Sequence, residues 1–311
     1  MTRFAVLLPV AVTACVAPSG GWGEDSGLEF RGIDVANTFD PDPGPTAVGG
    51  TQHVSLFIPE SNDEPFTAWY VADSSHPGDE RYPLGTEVVA QDHNVVTVRG
   101  IGAGYSDLRI VSAVGELYDH MILSAEPVAL VQARPSELYG SDVTEPIVWA
   151  RGDQDITIRL WSAPDAELED HRDALVDESL TLSMPGASQT TWQTIHVPDA
   201  PAGHRALAVS GSVEQILDIE TIGEPDALEI DEGSYQFGGA TGYCVTARHQ
   251  GRYVAGAAWS FTVDGGDIVP DPAFHTATSG CVDVFPRVPG TMHIHATASG
   301  LTRVFDVTAQ Y

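Results

Sequence analysis

The sequence contains no lysine. Its positive charge rests on arginine alone, and there is little of it: 14 basic residues stand against 44 acidic ones, for a net charge of −30. A surface that acidic repels nucleic acid and anionic headgroups, which excludes both as electrostatic partners. The acids are scattered, so we read the charge as a source of solubility and not as a binding signal. Long apolar runs are also missing. The run from Phe4 to Val12 is about half of the roughly 20 residues a spanning helix needs, and Pro9 interrupts it. Helical periodicity is scarce, with no amphipathic helical pattern longer than about three turns. Only Asp165 to Glu178 suggests a turn or two of helix. Signatures of hydrolases and nucleotide-binding enzymes are absent: there is no Gly-x-Ser-x-Gly, no His-Glu-x-x-His and no phosphate-binding loop. No enzyme activity and no cofactor are expected.

What the chain does have is turns. With 31 Gly and 21 Pro, it has little room for long helices. Short segments enriched in β-branched and aromatic residues fill the space between them. They include "TQHVSLFI", "NVVTVRGI", "DLRIVSAV", "DITIRLWS", "RALAVSGS", "YCVTARH", "AWSFTV", "CVDVF", "MHIHATA" and "RVFDVTA". The expected fold class is all-β.

The start of the chain carries an address. Arg3 precedes the apolar run, and the small residues Thr13 and Ala14 follow it, in the order of an export signal. The next stretch, "VTAC" from Val12 to Cys15, resembles the lipobox of bacterial lipoproteins. That resemblance implies cleavage before Cys15 and acylation of its thiol, with residues 1–14 as signal peptide. Acyl chains add about 0.8 kcal/mol per buried methylene, so two or three would hold the protein firmly in a lipid bilayer. Residues 15–26 then read as the acylated Cys and a flexible Gly-rich tether. Val16 stands where enterobacterial lipoproteins retained in the inner membrane have Asp, so the outer membrane or cell surface is the expected location. In an exported protein the two remaining cysteines, Cys244 and Cys281, are expected to pair as a disulfide.

A repeat organises the rest. Three times a strand ends in a small-residue turn, and two alternating strands follow. The copies are "VVTVRGIGAGYSDLRIVSAVGELYDHMILSA", "QTIHVPDAPAGHRALAVSGSVEQILDIETI" and "CVDVFPRVPGTMHIHATASGLTRVFDVTA", with turn glycines Gly104, Gly203 and Gly290. Their spacing is that of one β-sandwich, roughly 100 residues. Each copy is therefore expected to close a domain, giving sandwiches at 27–126, 127–224 and 225–311. The first, with "PTAVGGTQHVSLFI" and "VVTVRGIGAGYSDLRIVSA", resembles the bacterial Ig-like domain of the group 2 type, on Gly49, Gly50, Gly102 and Gly104. The resemblance implies tandem Ig-like β-sandwich domains following a lipoprotein signal peptide. In the third domain Cys244, Trp259 and Cys281 resemble the Cys-Trp-Cys order of immunoglobulin domains. The shorter Cys-to-Cys spacing places Cys281 on a sheet neighbour of the Cys244 strand.

Several patterns could carry chemistry. His293 and His295 lie two apart in "MHIHA", on one strand face, and are the metal candidates, with His249 and His275 in the same domain. Alternation equally places Met292, Ile294 and Ala296 inward and both histidines in solvent. Arg151-Gly152-Asp153 matches a cell-adhesion tripeptide of animal proteins, and reads also as a polar turn. Asp40, Asp42, Asp264, Asp267 and Asp271 lie in acidic loops without calcium-loop spacing. The cluster Glu167, Glu169, Asp170, Asp173, Asp177 and Glu178 reads as a solvated loop. Trp69, Trp149, Trp161, Trp192 and Trp259 fit strand cores. The reading is a non-catalytic envelope lipoprotein whose Ig-like domains act as a spacer or adhesive array for an unidentified protein or glycan. The alternatives are a glycan-binding module displaying Tyr105, Tyr118 or Tyr139, and a metal-dependent enzyme using His293 and His295.

Overall fold

The computed structural model describes residues 20–21, 29–32, 44–57, 66–71, 83–92, 95–112, 117–135, 146–162, 174–230, 236–237, 240–270, 278–286 and 290–309. Among them every regular element is a strand. The chain divides into two compact units, residues 1–43 with 53–124, and residues 44–52 with 125–311.

The first unit has two sheets. One orders the strands Glu29–Gly32, Thr51–Phe57, Val95–Gly100 and Thr86–Asp92; the other orders Gly20–Gly21, Leu117–Glu126, Gly104–Ser112 and Phe66–Val71. Val54, Val96, Val98, Leu108 and Leu123 are buried, in the alternation a half-buried strand requires.

The second unit contains a larger sheet. Its path runs through Thr181–Ser183, Gly203–Ser210, Gln215–Ile222, Ile147–Ala150, Arg252–Ala255, Ala240–His249, Ser279–Pro286 and Gly266–Pro270. A second sheet, built on Leu130–Pro135, Gln154–Trp161 and Thr194–Val197, packs on the first part of that path. A third sheet, of Trp259–Asp264, Gly290–Ala298 and Leu301–Ala309, packs on the last part. Residues 127–224 and 225–311 thus lie within one unit.

Ile147–Ala150 is the strand where the two halves meet. It runs parallel to Gln215–Ile222 on one side and to Arg252–Ala255 on the other. Side chains alternate across a strand. Trp149 therefore enters one core, with Ile158, Leu207 and Ile219. Val148 and Ala150 enter the other, with Val245, Val254 and Ala296. All three are 0–2% exposed. Full burial of a side chain the size of Val148 contributes about 2 kcal/mol.

The repeat read in the sequence is a repeat of structure. In each copy a strand of one sheet ends (Val95–Gly100, Thr194–Val197, Ser279–Pro286), and the next strand opens in another sheet at Gly104, Gly203 or Gly290. These three glycines have φ of 158°, 148° and 142°, a region side-chain-bearing residues rarely adopt. At Gly104 space is also closed, since a Cβ would lie 1.9 Å from the Pro83 carbonyl oxygen. Two hairpins close with two-residue turns of positive φ, Gln250-Gly251 and Ser299-Gly300, whose twist matches that of paired strands.

The acidic run ending at Glu178 departs from its expected character. Residues 163–173 lie outside the described set. Ala174–Leu175 is strand, not helix, and Asp177 is 0% exposed, not solvated. Its carboxylate accepts hydrogen bonds from the backbone N–H of Thr51, Ser179 and Ser212 and from the Ser179 hydroxyl. Gly50 packs so closely on it that a Cβ there would lie 2.5 Å from the carboxyl carbon. The acid is a knot tying three separate segments of the unit. Replacing it leaves three backbone donors without their acceptor, so Asp177→Ala is expected to cost on the order of 3 kcal/mol in urea unfolding. A loss under about 0.5 kcal/mol, the scale of an ordinary surface change, would show that the knot is dispensable.

Candidate functional site

The disulfide is present and lies within one sheet. Cys244 and Cys281 are bonded and stand directly opposite each other on the antiparallel strands Ala240–His249 and Ser279–Pro286. Their neighbours Tyr243 and Val282 enter the core facing Met292 and Ile294, so the bridge sits on the other face of the sheet. Trp259 does not cover the bridge as in an inter-sheet arrangement. It stacks on Phe261, with ring centroids 5.7 Å apart, and lies over Gly280, where a Cβ would come within 2.6 Å of the indole. Closing a loop of 37 residues stabilises the fold by about 4 kcal/mol in the chain-entropy model. Cys15 lies outside the described residues.

His293 and His295 point outward from Gly290–Ala298, while Met292, Ile294 and Ala296 are buried. His293 Nδ1 is 2.7 Å from an Asp306 carboxylate oxygen, and His295 Nε2 is 3.1 Å from Asp264. Asp264 and Asp306 flank His293 on the two neighbouring strands. His295, opposite Thr262 and Val304, reaches Asp264 on the diagonal, so each imidazole has its own carboxylate. Among the described residues no three His, Cys, Asp or Glu side chains are arranged to hold a metal. His249 Nδ1 lies 3.5 Å from Asp226, and His275 is outside the described residues. The same pairing recurs at His196 with Asp155 and His204 with Asp218, each at 2.8 Å. These exposed pairs contribute little each to stability.

The Arg151-Gly152-Asp153 turn follows directly on the central strand. Both of its charged residues engage Asp199. The Arg151 guanidinium pairs with the Asp199 carboxylate at 2.9 Å, the Gly152 N–H donates to it at 3.0 Å, and Asp153 accepts from the Asp199 N–H at 2.9 Å. The hydrogen bond from Arg151 holds the Asp199 carboxyl below its usual range. The tripeptide is a fastened polar turn.

Trp149 and Trp161 are buried, and Trp192 and Trp259 pack against the cores. Trp69 is on Phe66–Val71, and Tyr118 on Leu117–Glu126. Tyr139 lies outside the described residues. Tyr105 is 41% exposed beside the turn at Ile101, itself 44% exposed. Of the acidic-loop residues, Asp264 is taken by His295; Asp40, Asp42 and Asp271 are not described.

Polar contacts that sequence reasoning missed gather at the central strand. Glu220 on one flanking strand and Arg252 on the other form an ion pair across it, at 2.5 Å. The Arg252 guanidinium holds the Glu220 carboxyl below its usual range. Gln154 donates to the carbonyls of Ala150 and Gly256, and a Cβ on Gly256 would collide with its amide. A buried arginine, Arg134, and the Trp161 indole both donate to Gln132, and burial pushes the Arg134 pKa down to about 10. The Glu220–Arg252, Gln154–Gly256 and Trp161–Gln132 partners are remote in sequence, so no local pattern announces them.

No known protein-family model matches the chain, and no characterised protein matches it in sequence. Among solved structures it is similar to the Escherichia coli adhesin FdeC, with 13% identity, 86% of this chain and 94% of that one covered, and a TM-score of 0.23. It is similar to the bacterial integrin-binding protein invasin, with 11% identity, 86% and 58% covered, and a TM-score of 0.25. It is also similar to SGBP-B of the Bacteroides ovatus mixed-linkage glucan utilization locus, with 11% identity, 90% and 69% covered, and a TM-score of 0.24. Likeness at this level carries no functional argument, which rests instead on the chain's own residues.

The Glu220–Arg252 pair has a pH signature. A carboxyl depressed in the fold adds stability above its unfolded pKa, near 4.5, and loses it as pH falls through the folded value. Glu220→Gln is therefore expected to lower stability by about 1 kcal/mol at pH 7 and to show a smaller deficit at acid pH below the unfolded value, by urea midpoints. An equal deficit at both pH values would mean that the charge across the strand contributes nothing.

Proposed function

We propose that the chain is a non-catalytic, lipid-anchored envelope protein: a signal peptide over 1–14, an acylated Cys15 with a tether to residue 26, and Ig-like sandwiches at 27–126, 127–224 and 225–311. They act as a spacer and as an adhesive, protein-binding array at the outer membrane or cell surface. The observation that carries this reading is the thrice-repeated passage from a strand of one sheet, through Gly104, Gly203 or Gly290, into a strand pair of another. Tandem modules of that kind hold loops and sheet faces at a distance from their anchor, and those surfaces take up partners. Among the described residues, His293 and His295 are each spent on an aspartate, which favours a structural role for them over a catalytic one. A second reading, a glycan-binding face, is favoured by the exposure of Tyr105, since an exposed aromatic ring offers a stacking surface.

Mass spectrometry of the protein from its native membrane, with protease shaving of intact cells, tests the anchored reading. The expected result is a diacyl or triacyl Cys15 with residues 1–14 removed, on a chain lost to shaving. An unmodified Cys15 would overturn the anchor, and acylation with full protection would move the protein to the inner side of the envelope.

A further inference from the structure

We infer that the second unit is built to carry tension, with its parallel strand pairs as shear clamps. The inference rests on the anchored-array reading, in which pull enters through the tether and leaves through a partner held on the C-terminal half. In a parallel pair both N-terminal ends lie at one side. Pulling the N-terminal end of the earlier strand against the C-terminal end of the later one slides the strands past each other, so every bond between them is loaded together. An antiparallel hairpin pulled at its two free ends opens one bond at a time.

The parallel pairs of the second unit all have the sliding geometry. Thr46–Ala47 pairs with Ala125–Glu126, and Thr46 also bridges Val176 in parallel. Ile147–Ala150 pairs with Thr221 and Ile222 on one side, and with Tyr253, Val254 and Ala255 on the other. In each, the strand nearer the tether comes first in the chain. Each clamp is also locked from the side. At the first, the Asp177 carboxylate holds the Thr51 N–H, and Ala47 is 0% exposed in the core. At the second, the Glu220–Arg252 pair spans the clamp, Gln154 ties its end to Gly256, and Trp149 plugs one core while Val148 and Ala150 plug the other. Sliding Ile147–Ala150 therefore breaks two cores at once, and residues 127–224 and 225–311 yield in one event.

Single-molecule pulling on the purified chain tests this without reference to acylation, so a failed anchor and a failed clamp are told apart. Handles go on the exposed residues Pro146, Gln250 and Ala258 in two pairings. The Pro146–Ala258 pairing slides the central pair; the Pro146–Gln250 pairing peels it from one end. With three registered residue pairs sharing the load, sliding is expected to need about two- to threefold more force than peeling. The sliding event should release the chain between the handles in one step that includes residues of both halves, and because Ala258 lies inside the loop that Cys244–Cys281 closes, reducing that bond should leave the length of the step unchanged. Equal forces in the two pairings, or two separate events in which 225–311 opens while 127–224 stays folded, would overturn the inference.

Discussion

Four residues, Ile147 to Ala150, set the organisation of the described C-terminal half. A strand with one buried face belongs to one core. This one has two buried faces, and each belongs to a different core. Trp149 cannot be withdrawn from its core without drawing Val148 and Ala150 out of the other, because one backbone carries all three. Two modules that could have been joined by a linker are joined by a shared wall. The gain is rigidity without a large interface, since the apolar surface that would have formed a hinge contact is counted inside the cores themselves.

The polar groups complete what the strand begins. Glu220 and Arg252 reach each other over its surface, and Gln154 fastens the strand's exit to the opposite half. Farther off, Asp177 fixes the segment at Thr51 and the turns at Ser179 and Ser212. A buried acid of this kind needs donors on every side, and three backbone N–H groups supply them. On the surface, aspartates lie beside His196, His204, His293 and His295, directly opposite His196 and His293 and on a diagonal from His204 and His295.

Much of this was legible in the sequence. Stretches such as "MHIHATA" and "CVDVF" gave strands, and Cys281 was placed on a neighbour of the Cys244 strand, where it is found. Gly104, Gly203 and Gly290 marked the crossings because that backbone conformation strains a side chain. The central strand was not legible. "IVWA" is short and apolar throughout, and a strand buried on both faces shows no alternation to betray it. "RYVA", its partner at Arg252–Ala255, is equally short. Asp177 looked like one more acid in a charged run; its partners at Thr51 and Ser212 are far away in the chain, and the burial they create leaves no local mark. The candidate site was half legible: the outward direction of His293 and His295 was one of the two readings that alternation left open, and their capture by Asp306 and Asp264 depends on strand order.

The central claim is that residues 127–224 and 225–311 fold as one body around the shared strand. Native-state hydrogen exchange in rising urea, followed by mass spectrometry, tests it most directly. One-body folding predicts that amides in Gln154–Trp161 and Thr194–Val197 open with the same free energy and the same urea dependence as those in Gly290–Ala298 and Ser279–Pro286. Opening of the 225–311 strands at a clearly lower free energy, while the 127–224 strands stay protected, would contradict it.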